Sequence, residues 1–305
     1  YIFPILKRFL LPLFVILGLN FFLNEWFKKI NKEAVIWELD NDFHEKVNDK
    51  EIQYLILGNS HSFGIETYEN DSLVHFASYG ENWSQSYYKL NHLIKQGYSI
   101  DHLLLNYDLT DTRQIGLDNK NLNYWAKYVD FFELGNITNN FSQYIGFWVR
   151  ANFMSYAGRY FEFFEYYTLG ENPLIEKQEV QFNPPDFVES HKRENDCLDQ
   201  VIKEEAILYL EKIIALCTSN DIQLVLIKYP ITKYHYYKHS SCFDPSEYYN
   251  ELNKRLHSSN TIQILDYQKL YFDNNSMFRD DHHLIGSIRG EFSQSVRKAL
   301  EKIWN

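Results

Sequence analysis

From Glu51 to the end of the chain, apolar runs of strand length alternate with helical spacings. The runs Ile52–Leu57, Leu73–Phe76, His102–Leu105, Ile222–Ile227 and Ile262–Leu265 read as strands, because each is mainly apolar and of strand length. Ser84–Gln96, Leu198–Cys217, Ser246–Leu256 and Ser287–Trp304 read as helices. The clearest is Leu198–Cys217, whose apolar residues Val201, Ile202, Ala206, Ile207, Leu210, Ile213, Ile214 and Cys217 recur at three and four. Strand, helix, strand in order predicts a parallel sheet with right-handed crossovers, an α/β fold.

Two stretches depart from this alternation. Residues 113–195 carry no clean strand–helix pattern and are dense in aromatics, among them Phe147, Trp148, Phe153, Tyr156, Tyr160 and Phe161. So long a segment between strands should have structure of its own, and a helical insertion with an aromatic core is expected. At the other extreme, Phe9 to Phe27 is almost wholly apolar, with Lys7 and Arg8 before it, Trp26 near its end and Lys28 and Lys29 after it. That length and those flanks predict a membrane-spanning anchor over residues 1–30, followed by a polar stalk over 31–50. No small-x-small cleavage pattern follows, so an uncleaved single-pass anchor is expected, with the α/β domain of residues 51–305 on the extracytoplasmic side of a bacterial cytoplasmic membrane.

Charge and cysteine content narrow the function. A net charge of −11 argues against a nucleic-acid partner. Cys197, Cys217 and Cys242 are odd in number and lack CxxC spacing, so neither a metal knuckle nor a disulfide framework is indicated.

The chemistry is concentrated at two places. The first strand ends in Leu57-Gly58-Asn59-Ser60-His61-Ser62, which presents a serine hydroxyl at the carboxyl edge of a buried parallel strand. Near the carboxyl terminus, Arg279-Asp280-Asp281-His282-His283-Leu284 sets an aspartate three positions before a histidine. At that spacing the Asp280 carboxylate can accept the His283 Nδ1–H while Nε2 faces a serine. The bland alternative is that Ser60 or Ser62 only caps a helix. Asp280, Asp281, His282 and His283 are also of metal-ligating type, but no second spaced cluster in the sequence completes a site, so no metal and no cofactor are expected. His61 and His282 read as local polar residues, and Tyr229–His239 as a solvated loop at the same sheet edge.

With these residues in place, the chain resembles the SGNH (GDSL-like) hydrolase superfamily. The resemblance rests on Gly58-Asn59-Ser60 after the first strand and on Asp280-x-x-His283 before the last helix. It covers about residues 51–110 and 220–305 and is nearest to membrane-anchored members that work with membrane-bound O-acyltransferases on envelope polymers. It implies a flavodoxin-like three-layer α/β/α sandwich. It also implies Ser60 as nucleophile, His283 as base and Asp280 as its carboxylate partner, with Gly80 donating a backbone N–H to the oxyanion. The family's third block, Gly-x-Asn-Asp, is altered to Leu105-Asn106-Tyr107-Asp108, so either Asn106 fills the third oxyanion position or Tyr107 stands there and the donor is lost.

The function so implied is that of a membrane-anchored serine esterase or O-acyltransferase. It would act on acyl, foremost acetyl, esters of an envelope polysaccharide or lipid-linked glycan, with a polytopic membrane acyltransferase as a partner. The alternative is a non-catalytic polymer-binding or scaffold partner of such an acyltransferase.

Overall fold

The computed structural model describes residues 50–108, 204–240, 245–256 and 262–304, apart from 69, 70 and 79, together with Val15, Gly18, Phe43, Val47, Tyr128 and Val129. The chain divides into two compact units, residues 1–38 with 117–175 and residues 39–116 with 176–305. The second unit carries the sheet. The expected insertion lies outside the described residues except for Tyr128 and Val129, and the expected anchor except for Val15 and Gly18. Among the described residues, no helix is long and apolar enough to cross a membrane. Of the expected stalk, Phe43 is fully buried and stacks on Phe76 at 4.3 Å.

Five strands form one sheet: β1 (Glu51–Leu57), β2 (Leu73–His75), β3 (Ser99–Asn106), β4 (Gln223–Lys228) and β5 (Ile262–Asp266). Their order is β2-β1-β3-β4-β5, and every neighbouring pair is parallel. The helices are α1 (Trp83–Lys95), α2 (Glu204–Ser219), α3 (Lys233–Ser240), α4 (Pro245–Leu256) and α5 (Gly286–Trp304), with 3₁₀ turns at Ser60–Gly64 and Asn275–Met277.

The central strands β1, β3 and β4 are apolar on both sides because both of their faces are covered, whereas β5 at the edge is largely exposed. Ile56, Leu104, Val225 and Ile227 pack with Phe292, Val296 and Leu300, which repeat every four residues along α5. Residues of the other parity, Leu55, Leu57, Leu103, Leu105, Leu224 and Leu226, are equally buried, as a sheet with two covered faces requires. The steps β2→β3, β3→β4 and β4→β5 all run in one direction, so right-handed crossovers place α1, α2, α3 and α4 on one face, opposite α5. On that face α1 and α2 pack together, with the Tyr88 and Tyr209 hydroxyls 3.2 Å apart. This is a three-layer arrangement with the doubly wound order 2-1-3-4-5, whose switch point falls between β1 and β3.

One element departs from the sequence reading. Tyr229–His239, expected as a loop, contains α3. Its start is fixed by Thr232, whose Oγ1 accepts the His235 N–H at 3.0 Å. The segment Lys-Tyr-His-Tyr-Tyr-Lys-His-Ser has no apolar stripe, so periodicity could not reveal it.

Candidate active site

Four chain segments meet near the switch point. Ser60 follows β1, Asn106–Asp108 close β3, Thr232–His235 follow β4, and Asp280–His283 precede α5. Each is held by a local device that the sequence encodes.

After Leu57 the chain must turn sharply. Gly58 does so at φ +125°, where a side chain is strained, and a Cβ there would lie 1.8 Å from Asn106 Oδ1. Asn59 then caps the 3₁₀ turn, its side chain accepting the His61 N–H at 2.9 Å. The cap is therefore Asn59, and neither serine serves as one. Ser62 points inward, fully buried, donating to the Leu57 carbonyl at 3.3 Å. Ser60 is only partly buried.

The Asp280–His283 segment is a tight loop rather than a helical turn. Phe278 and Leu284 pair across its base and are both buried. Asp280 Oδ1 accepts the backbone N–H groups of His282 at 3.0 Å and His283 at 2.7 Å. The same carboxylate lies against His283 Nδ1, at 2.8 Å from Oδ2 and 3.0 Å from Oδ1. His283 Nε2 is 2.8 Å from Ser60 Oγ. The three residues named from the sequence thus form one continuous chain of hydrogen bonds across a separation of 223 residues between Ser60 and His283.

The electrostatics of this chain are asymmetric. Burial raises the Asp280 pKa, but the His283 hydrogen bond and charge and the His282 N–H outweigh it and hold the carboxyl well below its usual range. Burial pushes His283 down to about 4 despite its bond to Asp280, and the neighbouring His282 and His61 add to the fall. At neutral pH the pair is a carboxylate and a neutral imidazole, the state in which Nε2 can take a proton.

The oxyanion candidates are placed as follows. Gly80 lies exposed on the loop between β2 and α1, at φ +67°. Asn106 is buried at the end of β3, its Oδ1 accepting the Asn59 N–H at 3.3 Å and its Nδ2 donating to Asp108 Oδ2 at 3.4 Å. Tyr107 turns the other way, its ring 6.2 Å from Trp83 and its hydroxyl donating to Asn253 Oδ1 at 3.1 Å. Burial raises the Tyr107 pKa, so its phenol stays protonated. Of the two alternatives for the third block, Asn106 is the residue beside the Gly58–Ser60 turn.

Sequence reasoning missed the histidine cluster. His61 and His235 come to the Asp-x-x-His loop from distant segments, each with its ring 5.0 Å from that of His282, which in turn lies 4.0 Å from His283. The absence of a second cluster in the sequence was thus misleading, because it is assembled only by folding. Two donor sets of metal-ligating type result among the described residues, His61–His282–His283 and His235–Asp281–His282. In the first, both His283 nitrogens already face Asp280 and Ser60. In the second, Asp281 already sits between its two imidazoles, hydrogen-bonded to His282 Nδ1 and 3.3 Å from His235 Nδ1. Burial opposes protonation of His282, but Asp281, with Asp280 and Asp108, raises its pKa. The Asp281 carbonyl accepts both the Thr232 N–H and hydroxyl, tying this loop to the start of α3. Asp108 gathers the other side, accepting from Asn59 Nδ2 at 3.2 Å and lying 3.0 Å from His61 Nδ1 without the alignment of a hydrogen bond.

No family model matches the chain, and no curated protein matches it. Among solved structures it is similar to a Bacteroides fragilis protein described as a candidate acylhydrolase. The two are 11% identical, the match covers 85% of this chain and 89% of that one, and the TM-score is 0.39. A likeness that slight carries no functional argument.

Proposed function

We propose that the protein is a serine esterase or acyltransferase that works through Ser60, His283 and Asp280. The observation that carries this reading is the 2.8 Å approach of His283 Nε2 to Ser60 Oγ, with the far side of the ring held by Asp280. A histidine so placed, kept neutral by burial, is a general base for the hydroxyl.

The steps follow from these roles. His283 takes the Ser60 proton as Oγ attacks an ester carbonyl carbon, and the carbonyl oxygen becomes the oxyanion. The Ser60 and Gly80 N–H groups receive it, with the Asn106 amide beside them. His283 then protonates the leaving alkoxide, giving an acyl-Ser60 ester. Water or a sugar hydroxyl, deprotonated by the same imidazole, attacks that ester and restores Ser60. Water makes the reaction hydrolysis; a hydroxyl makes it transfer.

The resemblance of the two motifs to SGNH hydrolases supports this reading and extends it to acyl esters of envelope polysaccharide. The apolar segment Phe9–Phe27 supports a membrane-anchored setting with a polytopic acyltransferase as partner.

Turnover of p-nitrophenyl acetate tests the reaction class. Wild type should hydrolyse it in a Ser60-dependent way. Activity that survives Ser60→Ala, or wild type no faster than buffer, contradicts it.

A further inference from the structure

The loop that carries Gly80 is joined to the nucleophile turn by a buried ion pair. Glu81 and Lys89 are 3% and 1% exposed. Glu81 Oε1 accepts the Gly58 N–H at 3.1 Å and the Ser86 hydroxyl at 2.6 Å, while Oε2 accepts from Lys89 Nζ at 2.6 Å. Lys89 spends its other donors on the Phe76 carbonyl and the Ser78 hydroxyl, each at 2.6 Å. The Ser78 N–H in turn donates to the Gly58 carbonyl at 3.0 Å. Both polar groups of Gly58 are thus held by the β2–α1 loop, one of them by a carboxylate on the residue next to Gly80.

A fully buried ion pair gives up hydration that its attraction only about repays, and apolar pairs of similar volume commonly replace one without loss of stability. What an apolar pair cannot do is accept the Gly58 N–H. The contact ties the turn before Ser60 to the loop that carries Gly80, the two places to which the proposed mechanism assigns its backbone donors. Displacements of order 1 Å between such groups lower rates about 10²-fold.

We propose that Glu81, clamped by Lys89, is a positioning residue that sets the Gly80 loop against the Ser60 turn and so preforms the oxyanion site. This inference rests on the serine-hydrolase reading. It separates the acceptor role of Glu81 from its charge, and two double variants distinguish them. Glu81→Gln with Lys89→Met removes both charges but keeps an oxygen for Gly58. Glu81→Met with Lys89→Met removes both charges and the acceptor.

The test is the steady-state hydrolysis of p-nitrophenyl acetate by both variants, with thermal melts alongside. The Gln/Met protein should stay within a few-fold of wild type. Both variants should melt below wild type, because buried partners of the pair lose their hydrogen bonds; assayed well below either midpoint, the Met/Met protein should keep its KM but lose about 10²-fold in kcat. Equal kcat in Met/Met and wild type overturns the inference, and so does an equal loss in both variants. If Met/Met does not fold, Glu81→Leu with Lys89→Met takes its place. A loss of kcat that only follows a loss of melting temperature across the apolar pairs makes the pair structural and also overturns it. Wild type without Ser60-dependent turnover defeats the parent reading instead.

Discussion

Asn106 reaches from the end of β3 to the turn after β1 and closes the space beside Gly58, so that a Cβ on Gly58 would lie 1.8 Å from its Oδ1. The turn that carries Ser60 and the third strand are therefore fitted to each other at one atom. Gly58→Ala combines this clash with a φ of +125°, which an L side chain rarely adopts. We expect destabilisation of roughly 3 kcal/mol or more, read as a large fall in the denaturation midpoint. Adding Asn106→Gly should restore part of it, because the clash goes and the backbone strain stays.

Asn106 and Tyr107 make opposite predictions about activity. Asn106 borders Gly58 and donates to Asp108, whereas the Tyr107 hydroxyl is spent on Asn253. Asn106→Ala should lower kcat about 10²-fold, the usual effect of removing an oxyanion donor or its support. Tyr107→Phe should leave kcat within a few-fold and cost about 1 kcal/mol of stability, the worth of one hydrogen bond. Steady-state kinetics on the two variants, with melts as control, gives the comparison.

Asp280 holds its imidazole through two contacts and its loop through two N–H bonds. Asp280→Asn keeps the shape but places a donor where Nδ1–H requires an acceptor. The ring would then favour the tautomer that cannot take the Ser60 proton. A fall in kcat of about 10³–10⁴-fold is expected, with little change in KM. A fall below tenfold would mean that Asp280 does not orient the base.

The pH profile carries a signature. A free histidine titrates near 6.5, but burial pushes His283 down to about 4. Protonation inactivates a base, so activity should be lost as pH falls through that value and be retained above it. The acid limb of kcat/KM should therefore have its midpoint near pH 4, with a flat profile from pH 6 to 8. A midpoint near 6.5 would show an imidazole open to solvent. His282→Ala removes one of the neighbours that lower this pKa, so its limb should move to higher pH.

Legibility in the sequence followed the physics of each element. The five strands were readable because mainly apolar runs of strand length mark them, most fully in β1, β3 and β4, whose two faces are covered, and each run lies within a residue or a few of its observed strand. The helix Ser287–Trp304 was readable because Phe292, Val296 and Leu300 mark one stripe. α3 was not, because its residues are polar and aromatic all round and its start depends on the Thr232 cap. At the site, Ser60, Asp280 and His283 could be named because their chemistry is carried by residue type and local spacing. Glu81 and Lys89 could not, since a charged pair eight positions apart looks like a solvated helix end until the loop before it folds under β1. His61 and His235 escaped for a related reason: each is isolated in sequence, and only the parallel order of β1 and β4 about β3 brings both to the Asp-x-x-His loop.

The central claim is that Ser60 is a nucleophile activated by His283. Treatment of the protein with a serine-reactive fluorophosphonate, followed by intact mass and peptide mapping, tests it most directly. The account predicts a single stoichiometric adduct on the peptide containing Ser60 in wild type. That adduct should be absent in Ser60→Ala and slowed at least 10²-fold in His283→Ala. Unlabelled wild type, or equal labelling of wild type and Ser60→Ala, would contradict it.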